Sequence, residues 1–161
     1  MLADVLSALQ DVALVDALRG SHWVYPIVNA GHIVGLALLF GAIVPLDLRL
    51  IGFWPRTPLG PLARMLLPVA IAGLALAVLT GGLMFSVSAV KYAGMTVFQA
   101  KLLLILAALA NALLLHRTSA WAARHGDGPR DMTPRLRLAG MLSIGCWLAA
   151  IFAGRMIGYL D

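Results

Sequence analysis

Residues 23–44 read WVYPIVNAGHIVGLALLFGAIV, a stretch with no fixed charge and only Asn29 and His32 as strongly polar interruptions. About 20 predominantly apolar residues in a helix are enough to cross a hydrocarbon core of roughly 30 Å. This stretch is therefore read as a transmembrane helix. Three more runs follow the same rule, at about 65–88, 98–115 and 138–158. The expected fold class is all-α, an integral membrane four-helix bundle in a single domain over residues 1–161.

Composition agrees. Hydrophobic residues make up 61% of the 161 and charged residues 12%, against roughly 25% charged in an ordinary soluble domain. A mean hydropathy of +0.93 leaves too little polar surface to dissolve a globule. The net charge of +5 does not indicate nucleic-acid binding. The arginines gather in the short segments between apolar runs, which is the positive-inside pattern of a membrane protein. The single cysteine, Cys146, excludes an intrachain disulfide and a cysteine-cluster metal site, and it reads as a small packing residue.

The connecting segments carry their own signals. In residues 2–18, Leu2, Val5, Leu6, Leu9, Val12 and Ala13 recur at helical spacing, while Asp4, Asp11 and Asp16 make the segment too polar to span. A short amphipathic surface helix is expected there. The same aspartates, with no basic stretch before them, argue against a cleavable signal peptide and leave the first span as the insertion signal. Pro45 is expected to end that span, with Asp47 and Arg49 forming a loop ion pair or taking up protons. Gly126–Pro134 is the clearest break in the chain. Trp23, Tyr25, Tyr92 and Tyr159 fit one interfacial aromatic belt, and Trp54 and Trp121 the other. Gly31 and Gly35 in the first span, with Ala70, Gly73, Ala77 and Gly81 in the second, mark close helix contact or room for a flat cofactor.

Polar residues within a bilayer each need a partner or a use. His22, Tyr25, Asn29 and His32 fall within about 80° of one another at 100° per residue, a polar stripe descending one helix. Lys101 and Arg155 enter the same leaflet from the third and fourth spans, which contain no acidic residue to pair with them, so that only Asp161 or an aspartate of the 2–18 segment is left to reach them. A neutral imidazole, an amide and two cations at matching depth suit an anionic, amphipathic ligand. Haem b meets the description, with His32 as the metal ligand and its propionates directed at Lys101 and Arg155. Asn29 and Tyr25 complete the expected cofactor-binding set. Met84 is a candidate second ligand, and His116 and His125 are expected at the far interface. The same residues also allow a bland reading, in which the cations snorkel and the polar stripe only packs.

The run Gly31-His32-Ile33, then Gly41, Pro45 and Arg49, with Lys101 in Phe98-Gln99-Ala100-Lys101-Leu102, resembles the membrane-bound protoporphyrinogen oxidases of bacteria. More loosely it resembles the copper-resistance protein D family and other four-helix inner-membrane proteins of proteobacteria. The resemblance implies a functional first-helix histidine and a later-helix lysine, here His32 and Lys101, with bound haem b. Three functions are expected to compete: a b-type haem protein in electron transfer, a porphyrin-oxidising enzyme, and a non-catalytic subunit or small transporter. The partners expected are the lipid bilayer, a quinone or periplasmic redox partner, and a second copy or a membrane complex.

Orientation follows from Lys and Arg. Arg49, Arg56, Arg64, Arg117, Arg124, Arg130, Arg135 and Arg137 lie on one side; Arg19, Lys91, Lys101 and Arg155 lie on the other. The richer side is expected to be cytoplasmic, which puts both termini in the periplasm of a bacterial inner membrane. Reporter fusions after Gly128 and at the C-terminus are expected to report cytoplasm and periplasm respectively; the opposite pattern would invert the topology.

Overall fold

The computed structural model describes Val15 and residues 22–122 and 132–159. Six helices run through them: α1 Val24–Ile51, α2 Leu59–Val87, α3 Ala89–Gly94, α4 Thr96–His116, α5 Ser119–Ala122 and α6 Pro134–Ile157. There is no strand among the described residues. The expected surface helix over 2–18 lies outside them, except that Val15 is helical and buried. Most of the Gly126–Pro134 loop, with His125, also lies outside them.

Helices α1, α2, α4 and α6 are each long and apolar enough to cross a membrane. Their outward faces are crowded with exposed carbon, including Ile27, Leu38, Ile71, Leu79, Leu103, Leu114 and Phe152. So much exposed apolar surface is untenable in water and natural against acyl chains. The chain is a multi-pass membrane protein built as an all-α four-helix bundle.

Packing order follows the small residues. Helix α1 packs on α2 and on α6, and α4 packs on α6. The α1–α2 contact is backbone on backbone. A Cβ added to Gly35 would stand 2.7 Å from the Ala77 nitrogen, and one added to Gly73 would stand 2.5 Å from the Leu39 nitrogen. Only glycine fits at such a crossing. At the other seam, Asn111 of α4 donates to the Ala139 carbonyl of α6 at 2.9 Å.

Four details depart from the expectation. The first span does not stop at Pro45. Helix α1 continues to Ile51 because Leu46, Asp47, Arg49 and Leu50 are all buried there, and tertiary packing outweighs the lost backbone hydrogen bond. Helix α2 likewise begins at Leu59 rather than 65. The connector is thus a short loop, opened by Gly52 at φ +122°, whose N–H bonds the Leu48 and Arg49 carbonyls. Arg49 does not pair with Asp47: it donates to the carbonyls of Thr57 (2.6 Å) and Pro55 (3.2 Å), lacing that loop to the helix. Trp121 does not face an aromatic belt. It is 2% exposed, folded under the bundle by a hydrogen bond from its backbone N–H to Thr118 Oγ1. There it seals a core with Leu46, Leu50, Leu59, Ala63, Leu115 and Leu136.

The α1–α2 crossing makes a sharp prediction. Gly73→Val should lower the midpoint of thermal unfolding in detergent, at a cost of about 1–3 kcal/mol or more for overpacking. Gly82→Val, where an added Cβ meets nothing within 4 Å, should leave it nearly unchanged. Equal midpoints would show that the crossing does not hold the bundle.

Candidate functional site

His32 is placed by the glycine crossing. Gly31 and Gly35 bring its stretch of α1 onto Ala77, Thr80 and Gly81 of α2. Gly81 makes the room for the ring, since a Cβ there would lie 3.0 Å from the imidazole Cε1. His32 Nδ1 lies 2.9 Å from the Ala77 carbonyl oxygen and 3.2 Å from Thr80 Oγ1. A carbonyl can only accept, so Nδ1 carries the proton and donates. The Thr80 hydroxyl points its own proton at the Leu76 carbonyl, at 2.6 Å, and so offers Nδ1 a lone pair. In the neutral ring Nε2 is then the unprotonated nitrogen, free to accept a hydrogen bond or bind a metal.

His32 forms part of the wall of a pocket of about 410 Å³ at this end of the bundle. All four long helices contribute to it. Asn29 stands one turn above His32. Lys101 comes from α4 and Arg155 from α6, so two cations share the pocket with the imidazole and the amide. The lysine side chain lies along Gly154, where an added Cβ would stand 3.4 Å from both Cε and Nζ. Arg155 is held from its outer side by Tyr159, whose hydroxyl accepts from Nη2 at 3.2 Å and whose ring lies 4.8 Å below the guanidinium. Asp47 is the single acidic residue among those described. It sits fifteen residues along α1 from His32, about 22 Å away at 1.5 Å per residue. No carboxylate among the described residues therefore neutralises Lys101 or Arg155.

The remaining walls are flat and apolar. Phe85 of α2 stacks on Phe98 of α4 at 5.1 Å and 11°, and Tyr92 of α3 continues the stack at 6.2 Å. Trp147 and Ile105 line the deeper part, and Met84 also reaches the wall. Among the described residues no three His, Cys, Asp or Glu side chains gather as a metal site.

Of the residues singled out in the sequence, Asn29, His32, Lys101 and Arg155 share this pocket. Tyr25, half-buried one turn above Asn29, is not among its lining residues, and His22 is exposed. His116 is at the opposite end, its Nδ1 donating to the Ala112 carbonyl at 2.7 Å and its ring against Trp121. The sequence reading missed Tyr92, the Phe85–Phe98 pair, Trp147 and Gly154 as parts of the site. Their signal was faint, because an aromatic or a glycine near a span end reads equally well as a lipid anchor or a packing residue.

The donor set fits one group well. One free imidazole nitrogen, two cations without a carboxylate among the described residues and an aromatic wall would suit a planar ligand that carries carboxylates. No protein-family model matches the chain, and no curated protein or solved structure matches it either.

The tautomer is directly testable. Nitrogen-15 spectra of histidine-labelled protein, before any ligand is added, should give His32 a protonated Nδ1 and an unprotonated Nε2. Gly81→Ala should perturb that signal and Gly82→Ala should not. A protonated Nε2 in the neutral ring would remove the free donor on which the site depends.

Proposed function

We propose that this membrane protein binds haem b in the pocket beside His32 and takes part in electron transfer in a bacterial inner membrane. His32 Nε2 would hold the iron, and Lys101 and Arg155 would hold the propionates. The observation that carries the reading is the meeting, in one pocket, of an imidazole locked with Nε2 free and two cations lacking a carboxylate partner among the described residues. Lys101 is half-buried, and a charge withdrawn from water without a counter-charge is costly; one carboxylate would supply what is missing there, and a second could pair with the exposed Arg155. The resemblance to bacterial protoporphyrinogen oxidases points to the same two residues, His32 and Lys101.

Each side chain then has a defined task. The Ala77 carbonyl and Thr80 hydroxyl fix the imidazole plane and its tautomer, as an outer hydrogen bond does for most metal-bound histidines. Lys101 and Arg155 would bind the carboxylates of the ligand, and Phe85 and Phe98 would supply apolar contact to its body. Bound haem would supply one-electron exchange at its iron. The charge pattern supports an orientation with this pocket in the periplasmic leaflet. A quinone or a periplasmic protein is the expected redox partner. A porphyrin-oxidising enzyme is the second reading, supported by the resemblance, with the same cations holding substrate carboxylates; a porphyrinogen oxidation assay separates the two.

The protein purified from haem-replete cells should be coloured, with a Soret band and a reduced α-band of the b type. His32→Ala should lose or perturb these bands, and His116→Ala should not. Lys101→Ala and Arg155→Ala should each weaken haem retention about tenfold or more, since a hydrogen bond to a charged group contributes roughly 1.5–3 kcal/mol. Each should also lower the midpoint potential, because a nearby positive charge favours the reduced iron. A protein that stays colourless after haem is added would contradict the proposal and favour a packing or transport subunit.

A further inference from the structure

On α1 and α6 the pocket is lined partly by exposed apolar side chains. The helices are tightest at the other end, where a Cβ on Gly140 would stand 2.8 Å from the Asp47 carbonyl oxygen and 3.1 Å from Leu50 Cβ. One further layer up, Trp147 is buried with Leu39 and Ala42. Beyond Trp147 the pocket itself lies between them. Its walls there include Ile33 and Ile151, yet these side chains are 59% and 36% exposed. Both side chains thus line the pocket and remain accessible there.

The exterior at that level is hydrocarbon. Ile33 is next to His32, nine residues into α1 and so about 14 Å from its start. Ile151 is six residues, about 9 Å, from the end of α6. On the walls from α2 and α4, Phe85 and Phe98 stack on each other. The polar groups Lys101 and Arg155 lie toward the helix ends, above this apolar gap.

We propose that the pocket is loaded sideways: its ligand first dissolves in the leaflet and then passes between α1 and α6, past Ile33 and Ile151. This rests on the reading of the pocket as a site for an anionic amphipath. Such a molecule in a bilayer already holds its carboxylates at headgroup level and its ring among the acyl chains. Moving laterally, it keeps its charges level with Lys101 and Arg155 while its apolar body crosses an apolar rim. Its charges never enter hydrocarbon, and its ring never returns to water. Ile33 and Ile151 thus flank the access route as well as lining the pocket.

The test uses the haem-free protein in lipid nanodiscs and haemin as the probe. Haemin is supplied either dissolved in phosphatidylcholine vesicles or bound to albumin in water. Quenching of Trp147 fluorescence reports arrival, identified as the part lost in Trp147→Phe, and the Soret band reports final occupancy. The paired change Ile33→Phe with Ile151→Phe should slow arrival severalfold, and Ile33→Ala with Ile151→Ala should hasten it. Because both residues also line the pocket, rates are compared after normalising to the final occupancy that the Soret band reports, and arrival should follow haemin in the bilayer rather than haemin in water. Rates indifferent to both pairs, or set by aqueous haemin, would overturn the lateral route and leave haem binding standing. Haemin retained by neither route in any variant would overturn both.

Discussion

The contact between Gly35 and Gly73 governs the rest of the molecule. It lets two helix backbones touch where any side chain would hold them apart. In hydrocarbon there is no water to satisfy a stray polar group, so a polar side chain must find its partner in the protein. Close approach makes that possible for His32. With α1 and α2 in contact, the imidazole lies within reach of a carbonyl already engaged in its own helix, and of a threonine on the same face. The ring is fixed by one nitrogen, and the other is left available. The same closeness demands a small residue at position 81, which completes a run of small side chains along α2 from Ala70 onward.

The bundle is firm at one end and open at the other. Its Asp47 end is cemented by a core of leucines around Trp121 and by Arg49, which spends its donors on loop carbonyls. Asp47 is 4% exposed there, with one carboxyl oxygen lacking a hydrogen-bond partner. A layer of carbon follows, with Leu39, Ala42, Ala70, Ala108 and Trp147 at its centre. It stands between Asp47 and the His32 pocket, so the buried carboxyl and the imidazole are separate polar islands rather than stations on one path. Cys146 belongs to this apolar layer, which accords with a packing role.

Much of this was legible in the sequence because the bilayer makes the relevant signals loud. Four uninterrupted apolar runs declare four helices, and His32, Asn29, Lys101 and Arg155 stand out by being polar at depth. Helical periodicity and depth alone were enough to bring these four to one place. What escaped was set by contacts between elements. Pro45 reads as a stop, but the buried turn beyond it continues the helix. Asp47 and Arg49 read as a pair, but Arg49 turned to the Thr57 and Pro55 carbonyls once the loop folded back. Trp121 reads as an interfacial anchor until Thr118 turns the chain beneath the bundle. Tyr25 shares the helical stripe of Asn29, yet the tyrosine in the pocket wall is Tyr92, from a short helix that no periodicity announces.

The central claim is that His32, Lys101 and Arg155 hold one anionic planar molecule between them. Native mass spectrometry of the protein released directly from membrane nanodiscs tests this without assuming a spectrum. The account predicts the intact chain carrying one added mass equal to haem b, retained under gentle activation and lost when Lys101 and Arg155 are both replaced by alanine. A bare chain from both the natural protein and the double variant would contradict it.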